Sequence, residues 1–301
     1  MPQRIRRAIE EQAEEVGFGA LKDAAMALSD AYRQGRGAPK LPDAERVAAY
    51  LVTRMPATYA ATYSALSELP SLEVASVLDV GAGTGAASVA AREFFATARV
   101  TMVERDTAFS EASRMWLPDA EVLAGDARSV ALPRRDLVIA AYSVGEFGAA
   151  AAKRLWEAAG VALVVVEPGT PRGFATILAI RDELIAAGAH VAAPCPMEGA
   201  CPVMAPDWCH FAARVERSSL HRRVKGGELG HEDEKFSYIV LTREEVARAT
   251  ARVVRHPAHR PGLIEIQTCT VEGLRSERVG KRDRERFREA RKAAWGGRWG
   301  A

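Results

Sequence analysis

Two groups of residues in this chain could do chemistry. The first is the run Asp79-Val-Gly81-Ala-Gly83-Thr-Gly85, which closes the short apolar stretch Val77, Leu78, Val80. An apolar run ending in a glycine-rich turn reads as a buried parallel strand. With no Cβ at Gly81, Gly83 and Gly85, the backbone turns sharply and can lie against a ligand, while a helix starting near Ala86 points free N–H groups at the turn. The second group is the four cysteines of the chain, Cys195, Cys201, Cys209 and Cys269, with five, seven and fifty-nine residues between them. All four could serve one site, and four thiolates suit Zn²⁺ or an iron–sulfur cluster. Zinc knuckles use tighter spacing. The wide loops, with Pro196 and Pro202 directly after two cysteines, favour the larger cluster. His210 could replace a cysteine in a zinc site or stand behind the ligands, and four unmetallated cysteines are the remaining reading.

The glycine run lacks the third-glycine spacing of a dinucleotide fingerprint and the Lys-Ser/Thr of a phosphate loop. It resembles motif I of class I S-adenosylmethionine (SAM)-dependent methyltransferases, in which the glycines pack against the methionine and ribose parts of the ligand. An acid about twenty residues further on can accept both ribose hydroxyls, and Glu104 stands there at the end of a second strand. Asp106 is the near alternative, with a helix cap as its structural role. Asp126, past a third strand, resembles the methyltransferase position that contacts the adenine amino group, and otherwise is a turn residue. Methyltransferases keep their catalytic residues in the loop after strand four. Here it reads Tyr142-Ser-Val-Gly-Glu-Phe147, with neither the Asn/Asp-Pro-Pro-aromatic loop nor a nucleophilic cysteine. Its polar candidates are Tyr142, Ser143 and Glu146.

These residues need elements to hold them. Residues 1–70 read as helices rich in Ala, Leu, Glu and Arg, broken at Gly35–Pro39 and Pro42. From Val74, strands and helices alternate: strands at 74–80, 99–103, 121–123, 136–142 and 161–166, helices at 86–95 and 173–187. That alternation predicts an α/β fold with a doubly wound, mostly parallel, Rossmann-like sheet. The organisation expected is a helical segment (1–70), a SAM-binding core (71–188), a Cys-rich insertion (189–235), the last strands of the core sheet (236–274) and a basic tail (275–301). Strands are expected at 236–241 and 263–268, joined by a helix over 243–251.

Composition is that of a globular chain, 48% hydrophobic and 27% charged. Residues 1–188 carry 20 Lys/Arg against 24 Asp/Glu, whereas residues 189–301 carry 21 against 15. A polyanionic partner would therefore meet the C-terminal third. Arg214, Arg217, His221, Arg222, Arg223 and Lys225 form one basic group, with Arg214 and Arg217 at helical spacing. The tail from Arg275 holds ten Lys/Arg against four acids, with Trp295 and Trp299 interleaved, the composition of a segment that meets phosphates and stacks on bases. A solvated amphipathic helix with docked tryptophans is the alternative. There is no 18-residue apolar run for a membrane span and no apolar core of a signal peptide, so the expected location is cytoplasmic, or the mitochondrial matrix after removal of a presequence.

The strings Glu167-Pro-Gly-Thr-Pro, Ala193-Pro-Cys-Pro, Cys201-Pro, Trp208-Cys-His-Phe, Arg214-Val-Glu-Arg217, Glu232-Asp-Glu-Lys-Phe-Ser-Tyr238 and Ala290-Arg-Lys-Ala-Ala-Trp295-Gly resemble the ribosomal small-subunit methyltransferase-like family of the mitochondrial small-subunit assembly factor and its bacterial relatives. The resemblance covers roughly residues 75–300 and departs at Met197-Glu198, where family members commonly have a His after Cys-Pro. It implies a SAM-binding fold, a [4Fe–4S] cluster on Cys195, Cys201, Cys209 and Cys269, and a role on small-subunit ribosomal RNA. Two functions follow as expectations: methyl transfer to rRNA near Tyr142–Phe147, or a catalytically silent ribosome-assembly factor that keeps the pocket and the cluster. A zinc-dependent small-molecule methyltransferase is a third, disfavoured by the basic tail.

Overall fold

The computed structural model describes residues 1–33, 39–147 and 151–300, the side chains of 32–33 and 146–147 excepted. The expected break at Gly35–Pro39 lies largely outside the described residues. Four helices come first: α1 (Gln3–Val16), α2 (Phe18–Arg33), α3 (Asp43–Thr53) and α4 (Met55–Leu66). They pack their apolar sides into the core cluster that also holds Val77, Val100 and Ile139 from one face of the main sheet.

That sheet contains β1 (Ser76–Val80), β2 (Arg99–Glu104), β3 (Glu121–Ala124), β4 (Arg135–Ala141), β5 (Ala159–Pro168), β6 (His190–Ala193), β7 (Phe211–Glu216) and β8 (His231–Thr242). Its order is β3-β2-β1-β4-β5-β8-β6, with β7 paired to β8. The first five strands are parallel, and β1 is buried throughout, as a strand covered on both faces must be. Helices α5 (Ala86–Phe94), α6 (Thr107–Ser113), α7 (Val144–Phe147), α8 (Ala152–Ala158) and α9 (Pro171–Ala186) make the crossovers. The twelve-residue β8 runs antiparallel, its second half between β5 and β6 and its first half against β7. Between β7 and β8 lies α10 (Ser219–Lys225).

The remaining strands depart from expectation. Residues 263–268 do not extend the core sheet. They belong to β11 (Leu263–Thr270) in a second, antiparallel sheet with β9 (Ala251–Val253), β10 (Ala258–Arg260), β12 (Gly273–Gly280) and β13 (Arg298–Trp299). Ile264, Ile266, Val279 and Trp299 form its own small core under α11 (Arg284–Ala290). The helix expected over 243–251 is absent. Arg243 is pinned to the carbonyls of Trp156 and Ala159, and Arg248 pairs with Glu198, so tertiary ties override helical propensity. Arg214 stands on a strand, not on a helix with Arg217.

Candidate functional site: a glycine-loop pocket and a four-cysteine cavity

The glycine loop leaves β1 with Gly81, Gly83 and Gly85 at φ of 74°, 55° and 79°, all in the left-handed region that glycine adopts without strain. Gly85 is also the residue from which α5 starts, and a Cβ there would lie 3.0 Å from Leu117. Glu104, at the end of β2, accepts from the Gly83 N–H at 2.7 Å through one carboxylate oxygen and from the Asp106 N–H at 2.8 Å through the other. Each oxygen keeps a second lone pair, enough to receive a vicinal diol. Asp79 is buried beneath the loop and accepts from the Ser88 N–H and hydroxyl, at 3.0 and 2.7 Å. Burial raises its pKa to about 6 against these two hydrogen bonds. It braces the loop and α5 from inside.

Asp106 takes the capping role: it caps α6 and pairs with Arg46 of α3. The Arg46 guanidinium also lies over Phe109, whose ring meets Tyr50 at 4.8 Å. These contacts hold α3 over the pocket rim, with the Tyr50 hydroxyl 3.8 Å from the point a Gly83 Cβ would occupy. Asp126 bonds the Arg128 backbone and guanidinium and lies 3.9 Å from Arg105; the Arg128 side chain, first among these causes, holds its carboxyl well below the usual range.

In the loop after β4, the polar groups are engaged inward. The Ser143 hydroxyl donates to the Val80 carbonyl at 2.7 Å. Tyr142 has φ of 57°, costly for an aromatic residue, and its phenol donates to Glu234 of β8 at 3.0 Å. Glu234 also meets Arg54, at 3.5 Å. Burial, with Glu234 adding, pushes the Tyr142 phenol well above its usual pKa. The Glu146 side chain lies outside the described residues.

The four cysteines line one cleft where the two sheets meet. Cys195 and Cys201 bracket a loop after β6, Cys209 precedes β7, and Cys269 comes from β11 of the second sheet. Burial raises all three shifted thiols: Cys195 against the nearby Arg181, Cys209 with the other cysteines adding, and Cys269 up to about 12. Among the described residues no three His, Cys, Asp or Glu are grouped to hold a single metal ion. His210 does not turn to the thiols: its Nδ1 faces the Trp208 carbonyl, and its ring stacks on Trp208 and meets Trp295 edge-on.

Two buried arginines complete the cleft, and sequence reasoning missed both. Arg181 of α9 donates to the Met197 and Gly199 carbonyls, inside the loop between Cys195 and Cys201, while its Nε has no partner in the described structure. Arg252 of β9 stands opposite Cys269 in the ladder, and donates to the Pro194 carbonyl, both Glu68 oxygens and the Gly296 carbonyl. Nothing in the local sequence marks them among so many arginines. Of the basic group, Arg214 pairs with Asp233, Arg217 and Lys225 with Glu232, and Arg223 lies over Phe18. Arg222 and Arg223 both lie on α10, and the buried His221 beside them stands 3.4 Å from Glu232.

A parallel sheet ordered 3-2-1-4-5, extended by an antiparallel strand and with a glycine loop after β1, defines a Rossmann-like class I methyltransferase fold. The precorrin-6y C5,15-methyltransferase of Geobacter metallireducens is a similar solved structure, at a TM-score of 0.42 and 15% identity over 60% of this chain and 86% of that one. Within that class, residues 44–300 match the family described as mitochondrial small ribosomal subunit Rsm22, and the chain belongs to this family. Among similar proteins is the human mitochondrial ribosome assembly protein METTL17, 26% identical over 82% of this chain and 61% of its own length. Another is the mitochondrial Rsm22-cox11 tandem protein 2 of Schizosaccharomyces pombe, 25% identical over 83% of this chain and 42% of its own length. The chain thus spans less than two thirds of the length of these relatives.

Proposed function

We propose that this protein is a small-ribosomal-subunit assembly factor that binds SAM in the glycine-loop pocket and a [4Fe–4S] cluster between its two sheets. The observation that carries the reading is the convergence of Cys195, Cys201 and Cys209 with Cys269, which comes from the second sheet, on one cleft. A cube of four irons takes one cysteine per iron, so it needs four sulfurs around a cavity. A single zinc would gather its sulfurs to within about 4 Å of each other, given Zn–S near 2.3 Å. The Arg181 Nε, a buried donor with no partner among the described residues, lines the same cleft and is available to a thiolate cluster. When bound, the cluster would supply a cross-link between the insertion, the core sheet and the second sheet.

Gly81, Gly83 and Gly85 would face the methionine and ribose of SAM, Glu104 would take the ribose hydroxyls, and Asp126 would turn to the adenine. Between methyl transfer and a silent factor, the closed Tyr142–Glu234–Arg54 contacts and the inward Ser143 favour the silent factor. The named ribosomal association of the relatives supports the small subunit as the partner, in whichever compartment holds that ribosome, and its rRNA is the component proposed to be met.

The test is protein purified without oxygen, with iron, sulfide and zinc measured beside the visible spectrum. About four irons and four sulfides per chain, lost in Cys195→Ser and Cys269→Ser, is the expected result. One zinc per chain and no colour would overturn the cluster. Labelled SAM should bind the parent and not Gly83→Arg, and no label should pass to small-subunit RNA; transfer of label would make the protein an enzyme.

A further inference from the structure

The cations of this chain fall into two sets once their partners are known. Arg214, Arg217 and Lys225 are spent on Asp233 and Glu232, Arg260 and Arg278 share Glu265, and Arg286 bonds Glu277. In contrast, Lys281, Arg282, Arg284, Arg288, Arg291 and Lys292 are all exposed, and none has an ion pair or a side-chain hydrogen bond among the described residues. They occupy the turn after β12, helix α11 and its first residues beyond.

Phe287 and Ala290 fasten α11 to the second sheet, and Arg286 is held on that side by Glu277. At 100° per residue, Arg284, Arg288 and the capping residue Arg291 then share an arc of about 60° on the free side, and Lys292 follows in the turn beyond. Arg284 and Arg288 are like charges at i,i+4, an arrangement that weakens a helix. Glu285 and Glu289 stand within i,i+3 reach of Arg288 and Lys292, yet no ion pair forms there. A merely solvated helix gains by pairing its charges; this one leaves its cations together and open.

The tryptophans expected to stack on bases are not free to do so. Trp299 is buried with its Nε1 donating to Glu277 at 2.9 Å, and Trp295 packs edge-on against His210 and His256. The side chains this segment offers outward are therefore six cations beside the three acids Asp283, Glu285 and Glu289, with no aromatic ring among them.

We infer that Lys281–Lys292 is the surface by which the protein holds small-subunit rRNA, through backbone phosphates and without reading bases. This inference rests on the ribosomal reading above and assigns the RNA contact within it. Binding of this kind is dominated by counterion release, so each phosphate contact sets a share of the salt dependence.

The test compares the parent with Arg284→Gln/Arg288→Gln/Arg291→Gln and with Arg260→Gln/Arg278→Gln, using transcribed small-subunit rRNA across a salt series, and purified small subunits. Unchanged thermal midpoints establish that each variant folds. The triple variant should lose more than about tenfold in affinity, and about two units from the slope of log K against log salt, at roughly 0.7 per phosphate of single-stranded RNA. The double variant, whose arginines share one acid, should lose far less. Parent-like affinity and slope in the triple variant would overturn the inference and leave the ribosomal reading standing. Loss of subunit binding with rRNA binding intact would mean that the face meets a protein, and would overturn it as well. A parent that binds neither rRNA nor subunits would remove the ribosomal reading and the inference together.

Discussion

Arg252→Met is the substitution through which the joint between the two sheets is best probed. Arg252 is 2% exposed and makes four hydrogen bonds: to Pro194 at 3.1 Å, to Glu68 at 2.9 and 3.0 Å, and to Gly296 at 2.8 Å. One side chain thereby joins the end of α4, the residue before Cys195, and the loop that leads to β13. Met fills much of the space and donates nothing. Removing one partner of a buried pair costs about 3–5 kcal/mol, most of it from the charge left behind. Glu68 keeps Arg298 at 3.2 Å, which draws the expectation to the lower half of that range, about 3–4 kcal/mol. At roughly 2 °C per kcal/mol for a chain of this size, the midpoint should fall by about 6–8 °C. Urea unfolding followed by tryptophan fluorescence reads the change, since Trp208 and Trp295 lie at this joint. The double variant Glu68→Met/Arg252→Met should recover much of the loss, because no charge is then abandoned. An Arg252→Met protein within about 1 kcal/mol of the parent would refute the reasoning: the guanidinium would then not be holding the joint.

Two further predictions follow from the core. Asp79 has a folded pKa of about 6 against 3.8 in the free residue. Being raised, it favours the folded state when protonated, so its contribution is best below about pH 4 and declines as pH rises through 6. Asp79→Asn, which can still accept from Ser88, should remove that decline, worth on the order of 3 kcal/mol at neutral pH; a parent-like slope of stability against pH between 4 and 7 in the variant would refute it. Gly173→Ala should destabilise strongly, because its Cβ would sit 2.0 Å from the Pro168 carbonyl oxygen, and a midpoint unchanged within about 1 °C would show that the first turn of α9 gives way freely.

Local pattern was enough for β1, the glycine loop, α5 and β2, because each is set by short-range rules: an apolar run, glycines at positive φ, a helix start and an acid at a strand end. The same holds for the central strands β1, β4 and β5 of the parallel core, which are largely buried and read as apolar runs. The spacing of the cysteines pointed to one shared site, and all four line one cleft, although no local rule brings Cys269 to Cys195. That meeting depends on a second sheet which the sequence did not announce, since β9, β10 and β13 have only three, three and two residues and draw their stability from β11 and from each other. Tertiary structure alone also decided the fate of the charges. Arg181 and Arg252 look like any other arginine in the chain, and they become a buried frame for the thiols only through partners about fifteen to two hundred residues away. Arg217 and Arg288 are likewise indistinguishable by type; one is consumed by Glu232 and the other is left open to solvent. Hydrophobic periodicity is written residue by residue along the chain. The pairing of a charge is a property of what folds beside it, and that is why the parallel core and the glycine loop were legible in the sequence and the second sheet and the open or buried state of each arginine were not.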